Sequence, residues 1–185
     1  MKTGPCYNKE AAGGLLMCFT PGRGWNMQIR YLIPLFIFLV DRFTKVWAQR
    51  ALSGIPEGLE LWPGFVRLYY VQNTGMAFGL MPGQRWLLVA LSFAALIFAI
   101  IALRPYHLGR WAEICLLVIL GGIAGNLTDR LIFGHVVDMI DFTFVRFAII
   151  NVADIAISLG AVFLCISLLF RPNDWLRKGE QQKKA

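Results

Sequence analysis

Four apolar stretches divide the chain, and each is about as long as a helix that crosses a bilayer. They cover residues 29–47, 86–103, 111–127 and 149–170. Because the hydrocarbon core of a membrane requires roughly 17–25 helical residues, the pattern predicts four transmembrane helices.

A different pattern, typical of β-strands, lies between the first two stretches. Residues 65–71 are rich in aromatic and branched side chains, and Pro63-Gly64 precedes them. These features favour a hairpin, with an irregular loop as the alternative. The predicted fold class is therefore an all-α membrane protein: four transmembrane helices with a small extracytoplasmic β-structured cap over residues 57–79.

The composition supports a membrane protein. Hydrophobic residues make up 57% of the 185 residues and charged residues 16%, against about 45–50% and about 25% in soluble domains. A chain of this length forms one domain, and a domain of this size cannot bury so much apolar surface. A soluble globular fold and intrinsic disorder are therefore excluded as the leading interpretations.

The net charge of +7 comes largely from the two ends of the chain. With both termini and the 104–110 turn on one side, that side carries 11 of the 18 lysines and arginines. The positive-inside rule then predicts N-in, C-in, with residues 48–85 and 128–148 outside. The cations flank apolar runs rather than following one helix face, so nucleic acid is not an expected partner.

Three segments are predicted along the chain. Residues 1–26, rich in glycine and proline, form a disordered extension; residues 27–172 form the four-span unit; residues 173–185 form a basic cytoplasmic tail. The four cysteines share no CxxC spacing and are interpreted as small buried hydrophobic residues.

Five of the 11 acidic residues lie at or near the outer ends of apolar segments: Asp41, Asp129, Asp138, Asp141 and Asp154. A carboxylate at mid-bilayer costs about 2.5–3.5 kcal/mol, so such residues are functional-site candidates. Ion pairing at a helix end is the alternative for four residues: Asp41, Lys45, Asp129 and Arg130. Asp141 is expected at the surface.

Asp138 and Asp154 have no basic neighbour in sequence, and Asn151 lies three residues before Asp154. If the fold brings the two aspartates together, they will share one proton, since adjacent like charges cannot both ionise. Such a pair can activate water against an amide without a covalent intermediate. His107 and His135 fall on opposite sides of the predicted topology, so no metal or other cofactor is expected; His135 is interpreted as a structural hydrogen-bonding residue.

Gly121-Gly122 and Gly125 give the GxxxG spacing that lets membrane helices approach closely. We expect them to draw the third and fourth spans together and so to form the acidic site.

Taken together, the polar motifs resemble those of bacterial signal peptidase II, the lipoprotein signal peptidase, a family of intramembrane aspartyl proteases. The likeness extends over roughly residues 29–170. The residues that carry it are Asp41-Arg42-Phe43-Thr44-Lys45, Asn73-Thr74-Gly75-Met76-Ala77-Phe78-Gly79, the run 121–130 from Gly121 to Arg130, Val136-Val137-Asp138 and Asn151-Val152-Ala153-Asp154. Ile150 departs from the phenylalanine that commonly precedes the last motif.

The resemblance implies a bacterial inner-membrane enzyme, without a cofactor, that removes the signal peptide from prolipoproteins carrying diacylglyceryl-cysteine. Cleavage would occur before the lipidated cysteine, with membrane lipid around a monomer. The implied catalytic residues are Asp138 and Asp154; which of them is the base stays open. The implied substrate-binding or supporting residues are Asp41, Lys45, Asn73, Asn126, Asp129, Arg130 and Asn151.

Two other classes of protein would also place acids in apolar spans. A small proton-coupled transporter would move solutes without cleaving peptides. A non-catalytic assembly subunit would use Gly121 and Gly125 to bind partner helices and would tolerate asparagine at both aspartates.

Overall fold

The computed structural model describes residues 30–103, 106–171 and 175–177. The predicted extension over residues 1–26 and most of the predicted tail over residues 173–185 lie outside these ranges. The account below concerns the described residues.

Four helices cover the four apolar stretches: α1 (Leu32–Leu52), α2 (Arg85–Leu103), α3 (Arg110–Ile132) and α4 (Val152–Phe170). By length and composition, two of the described helices, α3 and α4, are able to cross a membrane. The predicted count of four spans is not confirmed by this measure. One physical reason is that α1 contains four charged residues, namely Asp41, Arg42, Lys45 and Arg50.

The start of α4 is set by a capping box rather than by hydrophobicity. The Asn151 side chain accepts a hydrogen bond from the Asp154 backbone N–H at 2.9 Å, and the Asp154 carboxylate accepts one from the Asn151 N–H at 3.3 Å. This reciprocal arrangement satisfies backbone donors at a helix start. The helix therefore begins at Val152, and the predicted start at residue 149 was three residues too early.

The described residues also contain five strands: β1 (Leu59–Trp62), β2 (Val66–Asn73), β3 (Tyr106–Leu108), β4 (Val136–Phe142) and β5 (Trp175–Arg177). The antiparallel pairing of β1 with β2 confirms the predicted hairpin. Its turn includes Gly64 at φ 75°, a left-handed conformation that glycine adopts without strain. β4, which the sequence analysis did not predict, pairs antiparallel with β2 and completes a three-stranded sheet.

A second, two-stranded sheet joins β3 to β5. It connects the turn between α2 and α3 to the residues that follow α4. The sequence analysis missed it, because both strands have only three residues and no turn motif joins them.

Glycines in α3 allow close approach of two different helices. A Cβ on Gly122 would lie 2.6 Å from the Ala153 carbonyl oxygen in α4, and a Cβ on Gly121 would lie 2.8 Å from the Pro34 carbonyl oxygen in α1. A Cβ on Gly125 would overlap the Asp41 carboxylate, also in α1. The expectation that these glycines draw α3 towards α4 is confirmed for Gly122, and a Cβ on Gly125 would also lie 3.5 Å from the Ala153 Cβ. It is wrong for Gly121, which lies about 100° around the helix from Gly122 and meets α1.

The interpretation of the cysteines as buried is confirmed for Cys115 and wrong for Cys165, which is exposed. Hydrophobic side chains on the outer faces of the helices, such as Phe98 and Phe170, are exposed as well. An apolar run in this chain thus does not imply burial within the protein.

We expect Gly122→Ala to destabilise the protein by about 1–3 kcal/mol, because the added methyl group overpacks the contact between α3 and α4. Thermal unfolding in detergent will show this as a melting temperature several degrees below that of the wild type. Gly54→Ala is the matched control, since a Cβ on Gly54 meets nothing within 4 Å. Equal melting temperatures for both variants would contradict the packing described for Gly122.

Candidate active site

A buried lysine lies at the centre of the polar residues. Lys45 on α1 is only 1% exposed, and its Nζ lies 2.8 Å from both Asp41 Oδ2 and Asp129 Oδ2. The same ammonium donates a hydrogen bond to Asn126 Oδ1 at 2.7 Å. Two ion pairs and one hydrogen bond thus compensate the buried charge of Lys45.

The remaining charges around Lys45 are also paired. Arg42 Nη2 lies 2.6 Å from Asp129 Oδ1, so two cations and two carboxylates form a neutral cluster. Asp41 Oδ1 accepts a hydrogen bond from the Ala153 N–H at 3.0 Å, which ties α1 to the first turn of α4. The ion-pair alternative from the sequence analysis is confirmed for Asp41, Lys45 and Asp129.

Asn126 connects this charged cluster to Asp154. Its Oδ1 faces the Lys45 ammonium, which has no lone pair to offer, so its amide nitrogen must lie on the opposite side. There Nδ2 donates to Asp154 Oδ1 at 2.7 Å. The orientation of the Asn126 amide, and with it the position of one Asp154 oxygen, is thus fixed by Lys45.

Asn151 joins the two aspartates that the sequence singled out. Its Nδ2 donates to Asp138 Oδ1 at 2.6 Å, while its Oδ1 accepts from the Asp154 N–H at 2.9 Å. Asn73, at the end of β2, donates to the other Asp138 oxygen at 2.8 Å. The structure therefore brings Asp138 and Asp154 to one place, although 15 residues of irregular chain, strand and turn separate them in sequence.

Asp138 is strongly desolvated on β4. It is 3% exposed, and burial raises the pKa of its carboxyl group to about 6, with the charge of Asp154 acting in the same direction. Hydrogen bonds from Asn73 and Asn151 oppose this increase in pKa. The net effect favours a protonated Asp138 more than in an exposed aspartate.

The two aspartates line a cavity of about 480 Å³. Its polar end is formed by Asn73, Asn126, Arg130, Asp138 and Asp154, and most of its other walls are apolar side chains from α4 and residues 147–150. Ser158, one helical turn beyond Asp154, adds a hydroxyl that the sequence analysis missed. A long apolar ligand with a single polar group at one end fits this distribution of polarity.

Arg130 donates hydrogen bonds to backbone carbonyl groups rather than to carboxylates. Its Nη2 donates to the Gly75 carbonyl at 3.1 Å and its Nη1 to the Asn126 carbonyl at 3.5 Å. The ion-pair alternative was therefore wrong for Arg130. Through Gly75, this guanidinium attaches the segment after β2 to α3 beside the cavity.

Asp141 and His135, the two other polar residues singled out in the sequence, both lie away from the paired aspartates. Asp141 was expected at the surface, but its side chain is 15% exposed and lies 2.6 Å from Arg67 Nη2. The reason is the pairing of β2 with β4, which places Arg67 directly opposite Asp141.

The His135 ring lies 6.3 Å from the Phe133 ring and outside the cavity lining. Across residues 30–103, 106–171 and 175–177, no cluster of three or more metal-ligating side chains occurs.

The sequence is similar to those of known proteins over most of its length. Residues 33–170 match the family described as Signal peptidase (SPase) II. A lipoprotein signal peptidase from a Nostoc species is 40% identical over 149 residues, covering 78% of this chain and 92% of the relative. One from Streptococcus pyogenes is 37% identical over 145 residues, covering 77% and 95%.

Two solved structures are similar to this chain in fold. One described as a bacterial membrane enzyme is 26% identical, with a TM-score of 0.70, and the match covers 77% of this chain and 88% of that one. A second, described in the same words, has a TM-score of 0.66 at 25% identity. The chain belongs to the signal peptidase II family.

Proposed function

We propose that the protein is an intramembrane aspartyl endopeptidase that removes the signal peptide from diacylglyceryl-modified prolipoproteins, cutting before the lipidated cysteine. Asp138 and Asp154 are its catalytic pair. The observation that carries this proposal is the Asn151 side chain, which bonds both to the Asp138 carboxylate and to the Asp154 backbone at the polar end of an apolar cavity. Because the chain belongs to a peptidase family, we interpret the two carboxyl groups as the pair that hydrolyses the peptide bond.

The pair holds one proton, and we assign it to Asp138. Asp138 is the more buried of the two, and burial raises its pKa from 3.8 to about 6, so it keeps a proton to a higher pH than an exposed aspartate does. Asp154 lies in the first turn of α4, where the helix dipole stabilises a negative charge. Asp154 is then the general base, and protonated Asp138 donates a hydrogen bond to the scissile carbonyl.

Hydrolysis follows in two steps. Asp154 takes a proton from water as the water oxygen attacks the carbonyl carbon, and Asp138 hydrogen-bonds the developing oxyanion. The tetrahedral intermediate then breaks at the C–N bond, and a proton from the pair is transferred to the leaving nitrogen. The products are a signal peptide with a free carboxyl group and a lipidated cysteine with a free amine.

The supporting residues act by holding the pair in place. Asn126 and Asn151 position Asp154, and Asn73 and Asn151 position Asp138. The cluster of Asp41, Lys45 and Asp129 fixes Asn126 and the first turn of α4. Arg130 positions the segment after β2, which lies across the cavity from α4.

We also propose that all four helices span the bacterial inner membrane as a monomer, with N-in, C-in orientation and the pair near the outer leaflet. The outward-facing side chains of α1 and α2 support this proposal. Phe36 and Phe98, for example, are 65% and 73% exposed. Exposed aromatic residues on two helices that flank a polar core are compatible with a lipid environment.

The first test is cleavage of a lipid-modified prolipoprotein by the purified protein. Asp138→Asn and Asp154→Asn are each expected to reduce kcat by about 100- to 10,000-fold, because each removes one half of the proton transfer. Glu60→Gln is the matched control, since Glu60 is exposed on β1 and distant in sequence from both motifs. Normal processing by a folded Asp138→Asn or Asp154→Asn variant would contradict the assignment. A transporter or an assembly subunit would show no cleavage even as the wild type.

The assignment of the proton has a thermodynamic consequence. Because the pKa of Asp138 rises from 3.8 to about 6 on folding, the folded state binds a proton more tightly than the unfolded state. The contribution of Asp138 to stability therefore falls as the pH rises through this interval, by up to about 3 kcal/mol.

Asp138→Asn has no carboxyl group to ionise, so this pH dependence disappears. We expect the melting temperature of Asp138→Asn, relative to the wild type, to increase between about pH 4.5 and pH 7.5. Glu60→Gln should show a constant difference over the same range. A constant difference for Asp138→Asn as well would show that Asp138 is not the protonated member of the pair.

The proposed orientation predicts where the carboxyl terminus lies. A reporter that is active only in the cytoplasm should be active when it is fused after Ala185. A reporter that is active only outside the cytoplasm should be active when it is inserted at Gly64, in the β1–β2 turn. The opposite result for either fusion would refute the N-in, C-in topology.

A further inference from the structure

A second cavity, of about 600 Å³, adjoins the catalytic cavity. Phe142 and Phe147 line both cavities, so these two rings form the wall between them. The second cavity lies against the end of β4 and the residues that follow it. Any chain that passes out of the catalytic cavity over this wall enters the second cavity.

The two cavities differ in charge. Three charged residues line the second cavity: Arg67, Asp141 and Arg146. Arg67 donates to Asp141 from Nε at 3.1 Å and from Nη2 at 2.6 Å, so this pair is neutral. Arg146 is exposed and has no ion-pair or hydrogen-bond partner among the described residues. The second cavity therefore has a net charge of +1.

The polarity of the two sides indicates which part of a substrate lies where. On one side of the aspartates, α4 presents Ile155, Ile157 and Leu159, and this apolar surface suits a hydrophobic signal segment. On the other side, beyond Phe142 and Phe147, the wall is charged. The polypeptide that follows the cleaved bond is the part of a prolipoprotein that leaves the membrane, so the charged cavity is the one it meets.

We propose that the second cavity is a binding subsite for the first residues that follow the modified cysteine, and that Arg146 there selects an acidic side chain. This inference rests on the proposed function. Arg146 offers two parallel N–H donors that match the geometry of a carboxylate. The Arg67–Asp141 ion pair also lines the subsite.

The expected selectivity is moderate because Arg146 is exposed to solvent. A single exposed ion pair changes an equilibrium constant by about 1.5- to 5-fold. We therefore expect an acidic residue in the subsite to increase kcat/KM by about that factor over its amide counterpart, mainly through a lower KM. A lysine at the same position should decrease kcat/KM by a similar factor.

The experiment is a charge swap. Lipid-modified prolipoproteins that carry aspartate, asparagine or lysine at each of the first four positions after the cysteine are cleaved by the wild type, Arg146→Gln and Arg146→Glu. The wild type should prefer aspartate at one or more positions, Arg146→Gln should lose the preference, and Arg146→Glu should reverse it in favour of lysine. Arg50→Gln is the matched control, because Arg50 is an exposed cation at the end of α1 that lines neither cavity.

Assays in neutral and in anionic lipid vesicles distinguish a second source of negative charge. If the effect of Arg146→Gln depends on the anionic lipid content and not on the substrate residue, Arg146 binds lipid headgroups and the proposal is overturned. A wild-type enzyme without preference at all four positions would overturn it too. Cleavage of the asparagine substrates by Arg146→Gln at the wild-type rate shows that the catalytic pair is intact, so these failures are separate from failure of the proposed function.

Discussion

The buried ammonium of Lys45 is the constraint on which the polar interior depends. A charge that is 1% exposed is tolerated only if it is paired and fully hydrogen-bonded. Asp41, Asp129 and Asn126 provide the three partners, and they come from two helices, α1 and α3. Asp41 in addition holds the first turn of α4. One ammonium thus determines the relative positions of three helices around the site.

The same constraint extends to the proposed catalytic pair. Because Lys45 accepts no hydrogen bond, it orients the Asn126 amide, and the Asn126 amide positions Asp154. Asn151 then relates Asp154 to Asp138 on a different secondary-structure element. A buried network of ion pairs and hydrogen bonds is rigid, because an alternative arrangement would separate charges or leave polar groups unpaired in a medium of low dielectric constant. Such rigidity favours a reaction that requires two carboxyl groups in fixed positions.

The small sheet has a role beyond that of a cap. β4 carries Asp138 and Asp141 on one strand, so the same element supplies a residue to the catalytic cavity and another to the charged cavity beside it. Pairing with β2 adds Asn73 to the first cavity and Arg67 to the second. The apolar faces of the helices and the charged residues of β2 and β4 thus meet at one place.

The sequence by itself determined the apolar stretches, the β1–β2 hairpin and the identity of the family, because hydrophobic periodicity, turn residues and ordered motifs are local in the chain. It also predicted that Asp138 and Asp154 would come together, and the Asn151 side chain joins them in the structure. Only the tertiary structure decided that β4 joins the sheet, that Arg67 forms an ion pair with Asp141, that Gly121 meets α1, and that Arg130 binds backbone instead of a carboxylate. Each of these depends on contacts between residues far apart in sequence, and a local pattern contains no information on which distant partner a side chain will meet.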